Sequence, residues 1–152
     1  MATHRRAALA IVENHLIEML PGNERLRLLD ICEPVQLVPA NVLCEPGERI
    51  RHVYFPTAGV ISLLALVDGS PSLEVRMVGR EGMLGVQLVM GVQTTPFHAL
   101  VQGPGTARRI DAKAFRIELA RSAPLRRGLN RYLYVLMTQL WPRRPGASAF
   151  IR

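Results

Sequence analysis

The sequence predicts a mainly β domain, a sandwich or jelly roll, with helices before and after it. Three observations lead there. Between Val35 and Ile110, short β-rich apolar runs alternate with turn signals. Before them, apolar residues recur at helical spacing over residues 6–20, and after them a 4-3-4-4 apolar stripe begins at Leu125.

The elements follow in order. RAALAIVENHLIEML (6–20) places apolar residues at 9, 12, 16, 19 and 20, a helix ended by Pro21–Gly22. NERLRLLDIC predicts a second helix with Asn23 as N-cap, Leu26, Leu29 and Ile31 inside, and Pro34 as its stop. The strand candidates are VQLV (35–38), HVYF (52–55), VISLLALV (60–67), LEVRMV (73–78), FHALVQ (97–102) and TARRI (106–110). LEVRMV alternates, which puts Leu73, Val75 and Met77 on one face. VISLLALV is nearly continuous, which predicts cover on both faces. Asp111 predicts an N-cap for AKAFRIELARS. Ser122 or Ala123 opens a last helix, with Pro124 in its first turn. Its stripe of Leu125, Leu129, Tyr132, Leu136 and Leu140, flanked by Leu133, approaches a coiled-coil seam. Pro142 ends it, and WPRRPGASAFIR reads as a loose tail. The expected organisation is N-terminal helices over 1–32, a β-roll over 33–122, a dimer helix over 123–141 and a disordered tail over 142–152.

Composition excludes several classes. The chain has 152 residues, enough for one domain. About half of them (49%) are hydrophobic and only 5% aromatic, so the core is aliphatic. No apolar run is long enough for a membrane span, and the run after Arg5 and Arg6 stops at Glu13, too short for a secretory signal. A cytoplasmic protein is expected. Cys32 and Cys44 form no C-x-x-C pair, so no zinc or iron–sulfur spacing exists, and two buried reduced thiols are expected. Residues 1–107 carry eight basic against ten acidic residues, and residues 108–152 carry eleven against two. The basic end suits either nucleic acid or an ordinary solvated Arg-rich helix face.

The most pointed motif is VGREGMLGVQLVMG (78–91), with glycines at 79, 82, 85 and 91. Closely spaced glycines let a backbone wrap an anion. This stretch has no Lys, Ser or Thr, so it is not a Walker-type loop. Its G-x-x-G-x-x-G spacing is not the dinucleotide fingerprint. On its own it fits turns between strands equally well.

Three segments together resemble the sensor domain of the Crp/Fnr regulators: PGERIRHVYFPTAGVISLL (46–64), VGREGMLGVQLVMG (78–91) and LRRGLNRYLYVLMTQL (125–140). The resemblance covers roughly residues 12–140. It implies a cyclic-nucleotide-binding-type roll, a double-stranded β-helix jelly roll, followed by a long C-terminal dimerisation helix with Leu125, Leu129, Tyr132, Leu133, Leu136 and Leu140 at its seam. In that family the helix leads to a winged helix-turn-helix, which takes about 60–80 residues. Twelve residues follow Leu140. A sensor without its own DNA-binding head, reading no specific DNA site alone, is therefore expected.

The resemblance also makes the glycine stretch a candidate effector pocket, formed by Gly79, Arg80, Glu81, Gly82, Met83, Leu84, Gly85 and Val86 with Phe97 and His98. Relatives that bind cyclic nucleotides carry a Glu for the ribose hydroxyl and an Arg beside a small hydroxyl residue for the phosphate. Val86 stands at the Glu position, and Phe97 and His98 near the Arg–Ser positions. Losing two hydrogen bonds to charged groups costs about 3–6 kcal/mol, or about two to four decades of affinity. Strong cyclic AMP binding is not expected, and any ligand should be more apolar.

Other chemistries lack support. A metal-dependent cupin needs paired histidines and a carboxylate on neighbouring strands, and here the histidines stand singly. No nucleophile elbow surrounds Ser62 or Ser70, and Glu45 and Glu48 flank a turn. Two unclustered cysteines cannot supply four thiolates to a cluster. No catalytic residue, metal or cofactor is expected. The expected partners are a second copy or a related regulator, and an unidentified small-molecule effector. A stand-alone interaction module, or a truncated gene product pairing with full-length relatives, is the alternative.

Overall fold

The computed structural model describes residues 14–139. Two antiparallel sheets form a jelly roll. β1 (Glu33–Leu37), β7 (Gly105–Asp111) and β3 (His52–Ala58) make one sheet in the order β1-β7-β3. β2 (Val42–Cys44), β6 (His98–Val101), β4 (Ile61–Val67) and β5 (Ser70–Val78) make the other in the order β2-β6-β4-β5. Helices α1 (His15–Glu18) and α2 (Gly22–Asp30) precede the roll. A 3-10 helix (Val86–Met90) interrupts it, and α3 (Ala112–Arg121) and α4 (Ala123–Gln139) follow. The predicted fold class, mainly β with flanking helices and a long C-terminal one, is the one observed.

Two cores hold the layers together. One fills the roll, from Leu37, Tyr54, Ile61, Leu63, Val78, Leu84, Ala99, Val101 and Ala107. The other fastens the helices to the outside of β3, with Ile17, Leu28, Val53, Phe55, Phe115, Leu125 and Leu129 at its centre. Phe55 and Phe115 meet there as tilted rings 6.3 Å apart. The carboxylate of Glu118, buried in α3, accepts from Arg27 Nε of α2 at 3.2 Å. That bond keeps the charge paired.

Local chemistry sets the boundaries. Asp111 caps α3 as predicted, accepting from the amides of Lys113 and Ala114. Ser122 Oγ accepts from the Leu125 amide at 3.1 Å and so opens α4. The N-terminal helix expected over 6–20 does not run through residue 14. Asn14 is extended, and its side chain caps α1 by accepting from the amides of Leu16 and Ile17. Residues 6–13 lie outside the described residues, as do Leu140 and the tail expected over 142–152.

Several expectations are corrected. α2 begins at Gly22, with Pro21 in the cap position and no side-chain cap, so Asn23 lies within the helix. Its buried residue is Leu28. Leu26 and Leu29 are half-buried and Ile31 is exposed. The helix ends before Pro34, which sits on edge strand β1 opposite Arg108, where a missing N–H is tolerated. β4 is buried only through Ile61–Leu63, since the β4–β5 hairpin projects beyond the roll and leaves Leu66 and Val67 exposed. The alternation of LEVRMV is broken by a bulge. Pairing steps from Leu63↔Arg76 to Leu64↔Glu74 and skips Val75, so Leu73 and Met77 pair with opposite faces of β4. Cys32 and Cys44 are free thiols, half-buried and not fully enclosed.

Candidate effector-binding cleft

The glycine stretch is built around one side chain from α4. Tyr132 projects from the helix so that its hydroxyl meets the backbone at Gly82. A Cβ at Gly82 would lie far inside van der Waals contact with that oxygen. The hydroxyl accepts from the Met83 amide at 3.3 Å and from Arg76 Nη2 on β5. The guanidinium also lies over the ring, with Arg76 Cζ 5.3 Å from its centre. On the other side of the loop, Asn14 Nδ2 donates to Gly82 O and Pro56 O, each at 2.9 Å. Asn14 and Tyr132 thus hold the glycine stretch between the N-terminal and C-terminal helices.

The other glycines serve turns. Gly79 N–H donates to Glu81 Oε1 at 3.0 Å, and Gly82 N–H to Gly79 O at 3.1 Å. Gly85, at φ +100°, opens the 3-10 helix in the left-handed region, where a Cβ would lie 2.7 Å from Val53 Cγ1. Arg80 O accepts from the His15 amide at 2.9 Å, another tie to α1.

The sequence-derived pocket residues separate into three places. Met83, Leu84 and Val86 are buried in the two cores. Phe97 packs on the roll's interior, and His98 Nδ1 lies 3.2 Å from Glu45 Oε2. Leu84 and Gly85 line a cavity of about 110 Å³ with Arg49, Arg51, His52, Gln87 and Thr95. Gly79, Arg80 and Glu81 edge an open groove with His15 and Thr57. Ligand pockets span about 300–1,000 Å³, so the 110 Å³ cavity is too small for a nucleotide.

A larger cleft of about 610 Å³ opens on the α4 side of Tyr132. Its apolar lining includes Leu16, Met77 and Leu136 beside Tyr132, and its polar groups are Arg76, Arg131, His15, Glu81 and Gln139. Of these, sequence reading singled out Glu81 as pocket, and Tyr132 and Leu136 as seam. Arg76 could stand in for the absent phosphate anchor but does not lie at the matching sequence position, so it was not assigned to the pocket.

The helix stripe divides as well. Leu125, Leu129 and Tyr132 are buried against the domain itself, with Leu133 and Leu136 partly so. The outer face carries Tyr134 and Met137, 65% and 66% exposed.

Burial pushes the Cys32 thiol up to about 12, against a smaller opposing pull from Arg108. Cys44 is raised too, first by burial and then by Glu48 and Glu45. Neither is a reactive thiolate near neutral pH. A side-chain hydrogen bond to Glu33 raises Arg109 further. Among the described residues no group of three His, Cys, Asp or Glu side chains is placed to hold a metal. No helix there is long and apolar enough to cross a membrane.

If Tyr132 is what demands glycine at 82, Gly82→Ala costs about 1–3 kcal/mol of stability by overpacking. The cost shrinks in a Tyr132→Phe background. Urea denaturation of the two single variants and the double variant measures this, and equal cost in both backgrounds contradicts it.

No protein-family model matches the sequence, and no curated protein matches it. Solved structures do match. The sensor domain of the transcriptional regulator DNR from Pseudomonas aeruginosa superposes with a TM-score of 0.69 at 19% identity, over 91% of this chain and 93% of that one. The regulatory subunit of a cAMP-independent protein kinase A from Trypanosoma brucei gives 0.70 at 17% identity, over 86% of this chain and 46% of that one. The regulatory domain of Toxoplasma gondii PKA with cAMP gives 0.69 at 13% identity, over 88% and 51%. The chain thus spans about half the length of the two kinase proteins and nearly all of the DNR sensor domain. The fold is that of the cyclic-nucleotide-binding jelly roll.

Proposed function

We propose that the chain is the effector-sensing and dimerisation domain of a Crp/Fnr-type transcription regulator, without enzymatic activity. The observation that carries this is the seating of Tyr132 from α4 in the glycine stretch, beside Arg76 of β5. A ligand that disturbs the stretch or Arg76 changes the seat of α4, which is how a roll biases a helix with two arrangements. The near-complete overlap with the DNR sensor domain supports the reading. Fold alone does not carry function, so the site does.

The effector of this reading is not cyclic AMP. Val86 is buried, Phe97 packs into the roll and His98 faces Glu45, so none offers an anchor for ribose or phosphate. Titration calorimetry is expected to give a dissociation constant for cyclic AMP weaker than about 10 µM, near −7 kcal/mol. Tighter binding contradicts it.

Pairing of two copies, or of this chain with a related regulator, uses the outer face of α4. Tyr134 and Met137 are the large apolar side chains exposed there. Sedimentation velocity is expected to show a dimer at about 10–100 µM, lost in the double variant Tyr134→Asp, Met137→Asp with little change in melting temperature. A monomer throughout that range overturns the dimerisation half of the proposal.

A further inference from the structure

We propose that the cleft between α4, α1 and β5 binds an amphipathic organic monoanion, a carboxylate with an apolar tail. The cleft's volume, about 610 Å³, falls within the range of small-molecule sites. Its walls are apolar side chains from three elements: Leu16 and Met19 of the N-terminal segment, Met77 of β5, and Val135 and Leu136 of α4. Arg76 is one of its polar groups. That guanidinium is half-buried, and among the described residues no carboxylate lies within ion-pair distance of it.

Arg76 gives the Tyr132 hydroxyl one of its five N–H donors. The others remain for a planar acceptor, and a guanidinium fork matches a carboxylate. Arg131 adds a second positive charge at the rim. Glu81 also lines the cleft, with Oε1 engaged by the Gly79 amide. Two arginines against one glutamate leave a single net positive charge from these three side chains. That balance suits a monoanion better than a doubly charged phosphate ester.

The site differs from the glycine pocket of the sequence reading, sharing Glu81 with it. Binding here goes beyond the sensor reading, since a ligand can occupy the cleft whether or not the chain regulates transcription. Its failure leaves that reading standing, and failure to dimerise leaves this one standing.

Calorimetry of the full chain with decanoate, and with decanol as its uncharged counterpart, tests the proposal. Saturable binding of one decanoate per chain is expected, with decanol weaker by about 10-fold or more, equivalent to about 1.4 kcal/mol. Arg76→Met is expected to abolish the preference for the charged head, while Arg76→Lys retains part of it. Val135→Asp, at a partly exposed position, is expected to weaken decanoate without unfolding the domain. Equal affinity for the two probes, or an unchanged preference in a folded Arg76→Met variant, overturns the proposal. So does the absence of saturable decanoate binding.

Discussion

The structure turns on a hydroxyl placed where a side chain would otherwise be. Tyr132 reaches Gly82 only because residue 82 has no Cβ. Once there, its oxygen collects the Met83 amide and the Arg76 guanidinium. Three parts of the chain distant in sequence meet at that point: α4, the glycine stretch and β5. Asn14 supplies the fourth from below, by donating to Gly82 O and capping α1 at the same time. A hydrogen bond to a charged group contributes about 1.5–3 kcal/mol, so this contact ranks with a core residue in stability.

The same contact explains why the stretch is a poor phosphate cradle. A cradle needs backbone amides left free to face an anion. Here the Met83 amide is taken by Tyr132, those of Gly79 and Gly82 close a turn, and Leu88 bonds back to Gly85. The roll's interior is filled by Tyr54, Leu63 and Leu84. Arg76, on the α4 side, keeps unspent polar capacity beside a cleft of about 610 Å³.

The fold was legible in the sequence to a large degree. Turn-punctuated β runs, the Asp111 cap and the proline-started last helix each rest on short-range chemistry, and each was found. What failed needed tertiary information. The apolar stripe of α4 satisfies a seam and a core face equally well, and only packing reveals that Leu129 and Tyr132 are spent on the domain itself. Asn14 lay within a helical pattern, and besides capping α1 its side chain donates to carbonyls 42 and 68 residues away. The bulge at Val75 inverts part of β5 without any glycine or proline to announce it. Arg76 was not assigned to the site, although it lines the cleft. The glycines were noticed for phosphate chemistry, whereas Gly82 is required by a partner 50 residues downstream.

Hydrogen exchange at the Met83 amide tests the central claim most directly, because that proton is donated to the Tyr132 hydroxyl. In Tyr132→Phe, protection of this amide is expected to fall by more than the loss of global stability accounts for, while amides in β3 and β7 fall only by the global amount. Met83 protection that follows the global change would show that the hydroxyl does not hold the glycine stretch. The account of how α4 is coupled to the roll would then be wrong.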